Sequence, residues 1–185
     1  MAELICRRKE IISDPTIDKI IWVYASYQPQ LFNKLQAQIP GITFCDSVKE
    51  LESIDTTNSI IVLDDQFSAL TRPAEYKIIV EYFMVHSHHK NASLLWLCQT
   101  AFHKLLRLIN LNTNLLIVFD VPRDRSVITH LARQVCPGEA QFLQQAYAHS
   151  VLKRPHGYVV VDLQNKNKEY RYFVRSHLFP SSNCM

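Results

Sequence analysis

The sequence predicts an α/β protein in which helices flank a mainly parallel sheet. Short runs of Ile, Val and Leu alternate with helical patterns along most of the 185 residues, as in successive βαβ units. The runs are apolar at consecutive positions, which is typical of strands covered on both faces. The chain is 48% hydrophobic, enough for one core at this length, so we predict a single domain over residues 1–185.

The first predicted element is a helix over residues 3–12, which no strand precedes. It ends at Asp14-Pro15, because the residue before a proline avoids helical geometry. Residues 20–25 form the first apolar, β-branched run and are predicted as a strand. A helix over 29–38 follows, with proline at its first position and the turn residues Pro40-Gly41 after its end.

The second and third strands follow at short intervals. Residues 42–45 are predicted as a strand, and 48–54 as a short helix that Asp46-Ser47 can cap. Residues 60–63, Ile-Ile-Val-Leu, are predicted as the third strand, and two aspartates follow directly. We expect both carboxylates at the carboxyl end of this strand, where open α/β sheets bind their ligands.

Two further strands are predicted in the middle of the chain. A helical pattern over 74–86 is followed by a strand at 94–98. A polar-flanked segment at 101–108 then leads to a strand at 115–119. The alternation of helix and strand therefore continues to this point.

The last third of the chain contains two helices and a hairpin. The helices are predicted over 124–135 and 139–151, because Pro137-Gly138 separates two helical patterns. Apolar runs at 157–163 and 170–174 are joined by polar residues, which predicts a terminal β-hairpin.

Charge and cysteine content bound the class of protein. The net charge of +3, from 20 Lys and Arg against 17 Asp and Glu, is too small to indicate a nucleic-acid surface by itself. Five scattered cysteines without a C-x-x-C pair indicate a reducing, intracellular compartment, and we predict Cys98 and Cys136 as small core residues. Without a signal peptide or a run of about 20 apolar residues, we expect a soluble protein and no membrane partner.

The strongest candidate site is the acidic pair Asp64 and Asp65. A carboxylate at the tip of a buried strand holds Mg²⁺ in many phosphate-processing enzymes, and a second one orients or activates the attacking water. Capping of the next helix, or simple contact with solvent, is the alternative. Such a pair normally works with a phosphate loop, G-x-x-x-x-G-K-[ST]. The three glycines, Gly41, Gly138 and Gly157, are not followed by Lys and Ser or Thr.

Gln99, Arg123 and Arg125 are the other candidate catalytic residues. Gln99 follows the predicted strand 94–98, where a carboxamide can hold a water near a γ-phosphate, although an ordinary strand end is the alternative. Arg123 and Arg125 stand where a helix is predicted to begin, and cations there oppose the helix dipole. An arginine finger acting on a neighbouring subunit is one explanation, and pairing with Asp124 or an exposed rim is the other.

Other polar clusters carry weaker signals. The three histidines within 86–89 lack the i,i+4 spacing of helical zinc ligands, so we predict no metal site there. A two-metal nuclease or phosphatase would need more carboxylates, and Asp46, Asp120 and Asp162 have no recognisable spacing. Basic and aromatic residues interleave near the hairpin, which is compatible with nucleic-acid contact or with an exposed face: Lys153, Arg154, Lys166, Lys168, Tyr170, Arg171, Tyr172, Phe173 and Arg175.

Taken together, in order and spacing, five segments resemble the genome-packaging ATPases of the FtsK/HerA class. These ATPases occur in large DNA viruses such as poxviruses and in virus-like Polinton (Maverick) transposons. Each motif is weak alone, but five in register are fairly specific, and the resemblance covers residues 18–180, nearly the whole chain. The segments are 24–29, 59–65, 87–91 with 94–100, 122–134 and 156–163.

The resemblance implies a P-loop NTPase fold of the additional-strand class, assembled into a ring that hydrolyses ATP to drive double-stranded DNA into a capsid. By position, Asp64 and Asp65 match the metal-binding and water-activating pair, and Gln99 matches the polar sensor. Arg123 or Arg125 falls in the stretch that reaches the neighbouring subunit. The implied cofactors are ATP and Mg²⁺, held by Asp64 directly or through water. The implied partners are double-stranded DNA, other ring subunits and capsid proteins.

The chain departs from this family at its beginning. In the family, the phosphate loop and its strand lie just upstream of a helix that this chain enters partway along, at Ala2 or Glu3. That strand lies within the family's sheet, so a chain without it is expected to have two strands with unpaired edges. We expect such a chain to bind ATP poorly on its own, and to be marginally stable unless it closes the gap or pairs with another chain.

Two functions therefore stay open. The first is the C-terminal part of a DNA-packaging ATPase that does not hydrolyse ATP alone. The second is a non-enzymatic interaction module that joins or regulates intact ATPase subunits or binds DNA. The first depends on Asp64, whereas the second can depend on Arg123 and Arg125 without it.

Overall fold

The computed structural model divides the chain into two compact units, Met1–Asn112 and Thr113–Met185. The first unit contains a parallel sheet and the second an antiparallel one. The α/β class is confirmed, while the P-loop class and the single domain stay predictions. The residues described are 2–10, 12, 14–100, 103–122, 124, 126–152, 156–164 and 174–178.

Four parallel strands form the sheet of the first unit. They are β1, Lys19–Tyr24; β2, Thr43–Cys45; β3, Ser59–Asp64; and β4, Ser93–Leu97. Their order is β2-β1-β3-β4, so β3 lies between β1 and β4. The strands agree with the predicted ones to within one residue at each end. The strand that carries the acidic pair is therefore an internal one.

Helices connect these strands. The α-helices are α1, Ala2–Cys6; α2, Pro29–Gln38; α3, Pro73–Glu81; α4, Ser87–His89; and α5, Arg107–Leu111. A π-helical turn, Tyr82–His86, joins α3 to α4. Segments of 3₁₀ helix lie at Arg8–Glu10, Val48–Glu52, Gln66–Thr71 and Lys104–Leu106.

Two of these helices bear directly on the sequence predictions. The helix expected over 3–12 is instead α1 followed by a 3₁₀ turn. The Arg8 guanidinium donates to the Ile5 carbonyl at 3.2 Å. In a continuing α-helix that carbonyl would instead accept from the backbone amide four residues later. The predicted cap before Val48–Glu52 is confirmed: Ser47 Oγ accepts from the Lys49 amide, and the Glu50 carboxylate accepts from the Ser47 amide.

The sheet of the first unit separates two apolar cores. Successive strand residues point to opposite faces, so β1 and β3 contribute alternate side chains to each core. One core holds Ile21, Val23, Ile61 and Leu63 with Ile78 and Ile79 of α3, and the other holds Ile20, Trp22, Ile60 and Val62 with Phe32 and Leu35 of α2. In β3 every residue before Asp64 is buried, so Asp64 is the first to approach the surface.

The second unit contains three strands and two helices. They are β5, Leu115–Phe119; α6, Ser126–Val135; α7, Ala140–Leu152; β6, Tyr158–Asp162; and β7, Val174–Arg175. The strand order is β5-β6-β7, and both pairings are antiparallel. The β6–β7 pairing confirms the predicted hairpin where it is described, whereas residues 165–173 lie outside the described residues.

The mainly parallel arrangement holds for the first four strands only. A single crossover helix returns the chain to the end of the sheet where the previous strand began, so the next strand is parallel. Between β5 and β6 the chain passes through both α6 and α7, which contact each other, and the second helix reverses the direction again. β6 therefore runs antiparallel to β5.

Within the part of the chain that the structure describes, no helix combines the length and the apolar character needed to cross a membrane.

Candidate functional site

Asp64 lies at the carboxyl end of the internal strand β3. It is in register with Tyr24 of β1 and Leu97 of β4. Its Oδ2 accepts a hydrogen bond from the Trp22 indole Nε1 at 3.2 Å, and its backbone oxygen accepts from the Ala25 amide at 3.1 Å. One carboxylate oxygen is thus held by the protein. Among the described residues, Oδ1 has no hydrogen-bond partner.

The half-buried position of Asp64 affects its ionisation. Burial raises the pKa of this carboxyl, and the neighbouring Asp65 adds to the increase, while the bond from Trp22 acts in the opposite direction. A nearby cation would favour the charged carboxylate and relieve this cost. The charged form of Asp64 is therefore less favourable than that of an exposed aspartate.

Asp65 has a different environment from Asp64. Its backbone is left-handed, with φ 51° and ψ 35°, a conformation that aspartate tolerates better than most residues. Its amide donates to the Leu97 carbonyl at 3.1 Å, so the turn is fixed against β4. The side chain is exposed and makes no capping bond to the 3₁₀ helix that follows. Of the two alternatives raised for this residue, helix capping is not observed, whereas contact with solvent agrees with its exposed side chain.

Gln99 lies beyond the end of β4 and is exposed. Because β3 and β4 are parallel neighbours, Gln99 belongs to the same edge of the sheet as Asp64 and Asp65. Cys98, predicted as a small core residue, is exposed, since β4 already ends at Leu97; that prediction was wrong. Cys136 is buried, as predicted.

The two candidate arginines, Arg123 and Arg125, lie outside the described residues. Between them, Asp124 uses its carboxylate to accept bonds from the amide and the hydroxyl of Ser126, at the start of α6. This is an Asx turn, in which an aspartate side chain bonds to the backbone two residues further on. Both hypotheses for the arginines, an arginine finger or pairing with Asp124 or an exposed rim, therefore stay predictions.

Trp22 and a group of aromatic rings beside Asp64 were not anticipated from the sequence. Tyr24, in register with Asp64, lies 4.9 Å from the Phe32 ring and 5.9 Å from the Tyr27 ring, between centroids. Trp22 and Tyr24 share a face of β1 because they are two residues apart. A buried indole N–H needs a hydrogen-bond acceptor. The position of Trp22 near the carboxyl end of its strand could therefore have indicated a polar partner at that end of the sheet.

The donor set fits a weakly held Mg²⁺ better than a closed metal site. Mg²⁺ keeps several waters and binds one or two carboxylates together with substrate phosphates. Asp64 Oδ1 and the exposed Asp65 provide oxygens of this kind. In the described part of the chain, no group of three or more His, Cys, Asp or Glu side chains could hold a metal ion. Of the histidines within 86–89, His86 packs its ring against Tyr82 at 5.0 Å.

A cavity of about 280 Å³ lies away from these residues. It is located before the start of β1, at the opposite end of the strand from the sheet edge with Asp64, Asp65 and Gln99, which we call the acidic edge. Its lining does not include any candidate catalytic residue and consists of Arg8, Lys9, Ile12, Asp14, Pro15 and Ile17.

Comparison of the chain with protein-family models, with curated proteins and with solved structures gave no match in any of the three. The description of the fold and of the acidic edge therefore rests only on the sequence and the geometry of this chain.

Replacing Asp64 by asparagine is expected to stabilise the fold at pH 7 by about 0.5–1 kcal/mol. Asparagine keeps an acceptor for Trp22 and removes the cost of burying a charge. A raised folded-state pKa means that stability is present below the unfolded pKa and is lost as pH rises through the folded value. The gain should therefore disappear near pH 3, where Asp64 is protonated in both states.

Urea unfolding at both pH values checks this expectation. Asp65→Asn is the matched control, since it removes the same charge from an exposed side chain and should change stability by less than about 0.5 kcal/mol. A loss of stability in Asp64→Asn at pH 7 would mean that the ionised carboxylate is a net stabiliser.

Proposed function

We propose that this chain is the C-terminal part of a DNA-packaging ATPase of the FtsK/HerA class, of viral or virus-like transposon origin. The resemblance in five segments supports the family. The acidic edge supports the chemistry, because Asp64 and Asp65 end one parallel strand and Gln99 follows its neighbour. That shared edge is the observation on which the proposal depends most.

In this proposal each candidate residue has a distinct role. Asp64 holds Mg²⁺ through Oδ1, directly or through water, while Trp22 fixes the orientation of the carboxylate at Oδ2. Asp65, exposed on a turn fixed to β4, orients or activates the attacking water. Gln99 holds that water with its carboxamide. When bound, Mg²⁺ neutralises charge on the ATP phosphates.

We further propose that the chain does not hydrolyse ATP alone. Phosphate loops close around the nucleotide with glycine amides and a lysine, and the sequence contains no G-x-x-x-x-G-K-[ST]. Without such a loop, no phosphate-bound Mg²⁺ is positioned for Asp64 to coordinate. Activity would require a phosphate loop from a preceding segment or from another polypeptide.

The partners proposed are double-stranded DNA, other subunits of a homo-oligomeric ring or intact ATPase subunits, and capsid proteins. Arg123 and Arg125 are proposed to act across a subunit boundary, where an arginine finger can raise the rate by about 10³ to 10⁵. They would stabilise charge on the phosphates of the neighbouring site.

A second candidate function is a non-enzymatic module that joins or regulates intact ATPase subunits or binds DNA. One observation favours it: in the described part of the chain, β4 pairs with β3 on one side and with no strand on the other. An unpaired strand edge is a surface that other chains can bind.

The test of both functions is the DNA-stimulated ATPase rate of this chain mixed with an intact ATPase of the class. If Asp64→Ala in this chain lowers the rate of the mixed assembly, the catalytic proposal is supported. If Arg125→Ala alone changes it, the interaction module is favoured. If the chain neither joins the assembly nor alters its rate, both proposals are wrong.

A further inference from the structure

In the described part of the chain, no strand pairs with the edge of β4 that does not face β3, which we call the outer edge. The Leu97 carbonyl accepts from the Asp65 amide, so Leu97 directs its backbone polar groups toward β3. These groups alternate in direction along a strand, so the N–H and C=O of Leu94 and Trp96 point to the outer edge. Four backbone groups of the strand thus point away from β3, and no described strand pairs with them.

β4 lacks the charges, prolines and bulges that protect many edge strands. Its sequence, Ser-Leu-Leu-Trp-Leu, contains no charge and no proline, and the strand pairs with β3 without a bulge. Leu94 and Trp96 pack against one core, and Leu95 and Leu97 against the other. All five residues are only half-buried. A further strand beside β4 would cover these side chains on both faces of the sheet.

We propose that this edge pairs with β4 of a second copy of the chain, antiparallel, to form a continuous eight-stranded sheet. A two-fold axis at Leu95 places Leu94 of each copy opposite Trp96 of the other. Both are residues whose backbone groups face the outer edge, so the pairing satisfies all four groups of each copy. An uncharged strand of this kind meets no like charge when it pairs with itself.

The charges at the two ends of β4 also favour a second copy. Lys90 lies just before the amino end of the strand, and Asp64 and Asp65 lie at the carboxyl edge beside its other end. Antiparallel pairing brings the basic end of one copy to the acidic end of the other. This inference follows from the edge itself and does not rest on the proposed ATPase function.

Sedimentation velocity over a range of concentrations tests the pairing. We expect a species of twice the 21.5 kDa chain mass that dissociates on dilution. Leu94→Pro removes an outward N–H and should weaken the dimer by at least about tenfold. Cys98→Pro is the matched control, because it changes the same edge beyond the paired residues and should leave the dimer intact. A wild-type monomer at all concentrations, or a dimer unaffected by Leu94→Pro, would overturn the proposal.

Charge exchange provides a test that leaves β4 unchanged. Lys90→Glu and Asp65→Lys should each weaken the dimer by about three- to tenfold, and the double variant should restore it. Equal weakening in the double variant would show that these ends do not meet across a two-fold axis.

Hydrogen exchange of the wild-type chain covers the case in which Leu94→Pro does not fold. The amides of Leu94 and Trp96 should exchange more slowly at about 500 µM than at about 5 µM, because only the dimer protects them. Exchange that is equally fast at both concentrations would contradict pairing at this edge.

Discussion

Replacing Tyr82 by alanine is expected to lower the free energy of unfolding by about 3–5 kcal/mol. The ring is 2% exposed and packs in the core beneath β3 and β4. Its hydroxyl donates to the Leu51 carbonyl at 2.9 Å and shares a hydrogen bond with the Thr56 hydroxyl at 3.1 Å. The substitution removes the ring and leaves two buried polar groups without this partner. Urea unfolding followed by circular dichroism measures the change.

Tyr82→Phe separates the two contributions. It keeps the ring and removes the hydroxyl, so it should cost about 1–3 kcal/mol, the penalty for unsatisfied buried groups. Since domains of this size have a total stability of about 5–15 kcal/mol, the alanine variant should lose a large fraction of it. An alanine variant within about 1 kcal/mol of wild type would mean that Tyr82 is not a core residue.

The second large effect concerns catalysis. When the chain acts in an assembly that supplies a phosphate loop, Asp65→Asn should lower ATP hydrolysis by about 10²- to 10⁴-fold while MgATP binding persists. The amide occupies the same exposed turn but cannot activate water. Steady-state hydrolysis and MgATP affinity, measured on the same preparation, separate the two effects.

Asp64→Ala should behave differently, because Asp64 is proposed to hold the metal. It should raise the Mg²⁺ concentration needed for half-maximal rate, whereas Asp65→Asn should not. Asp18→Asn is the matched control, since Asp18 is exposed and precedes β1 at the opposite end of the sheet. If Asp65→Asn and Asp18→Asn hydrolyse ATP at equal rates, Asp65 is not a catalytic residue.

The parallel strands could be predicted because each is a short apolar run between local breakers. The position of Asp64 follows from the same pattern: five buried residues precede it in β3, so the next side chain reaches the edge. Gln99 was placed at that edge by the same argument for β4. These predictions need only the local sequence and the rule that parallel strands share a carboxyl edge.

The remaining features depend on distant residues. The bond from Trp22 to Asp64 joins residues 42 positions apart, and nothing in either local sequence specifies the other. The antiparallel direction of β6 results from two helices packing together between β5 and β6. The left-handed turn at Asp65 contains no glycine that would indicate it in the sequence. It is fixed by the hydrogen bond that the Asp65 amide donates to the Leu97 carbonyl of the neighbouring strand.

We propose that Asp64 and Asp65 belong to a nucleotide-hydrolysing site that this chain alone does not complete. Isothermal titration of the purified chain with ATP, in the presence and absence of Mg²⁺, tests it most directly. We predict no binding in the micromolar range under either condition, because no lysine and amide loop holds the phosphates. Micromolar, Mg²⁺-dependent ATP binding would show that the chain holds the nucleotide by itself and would overturn the incomplete site, even if Asp64→Ala abolished the binding.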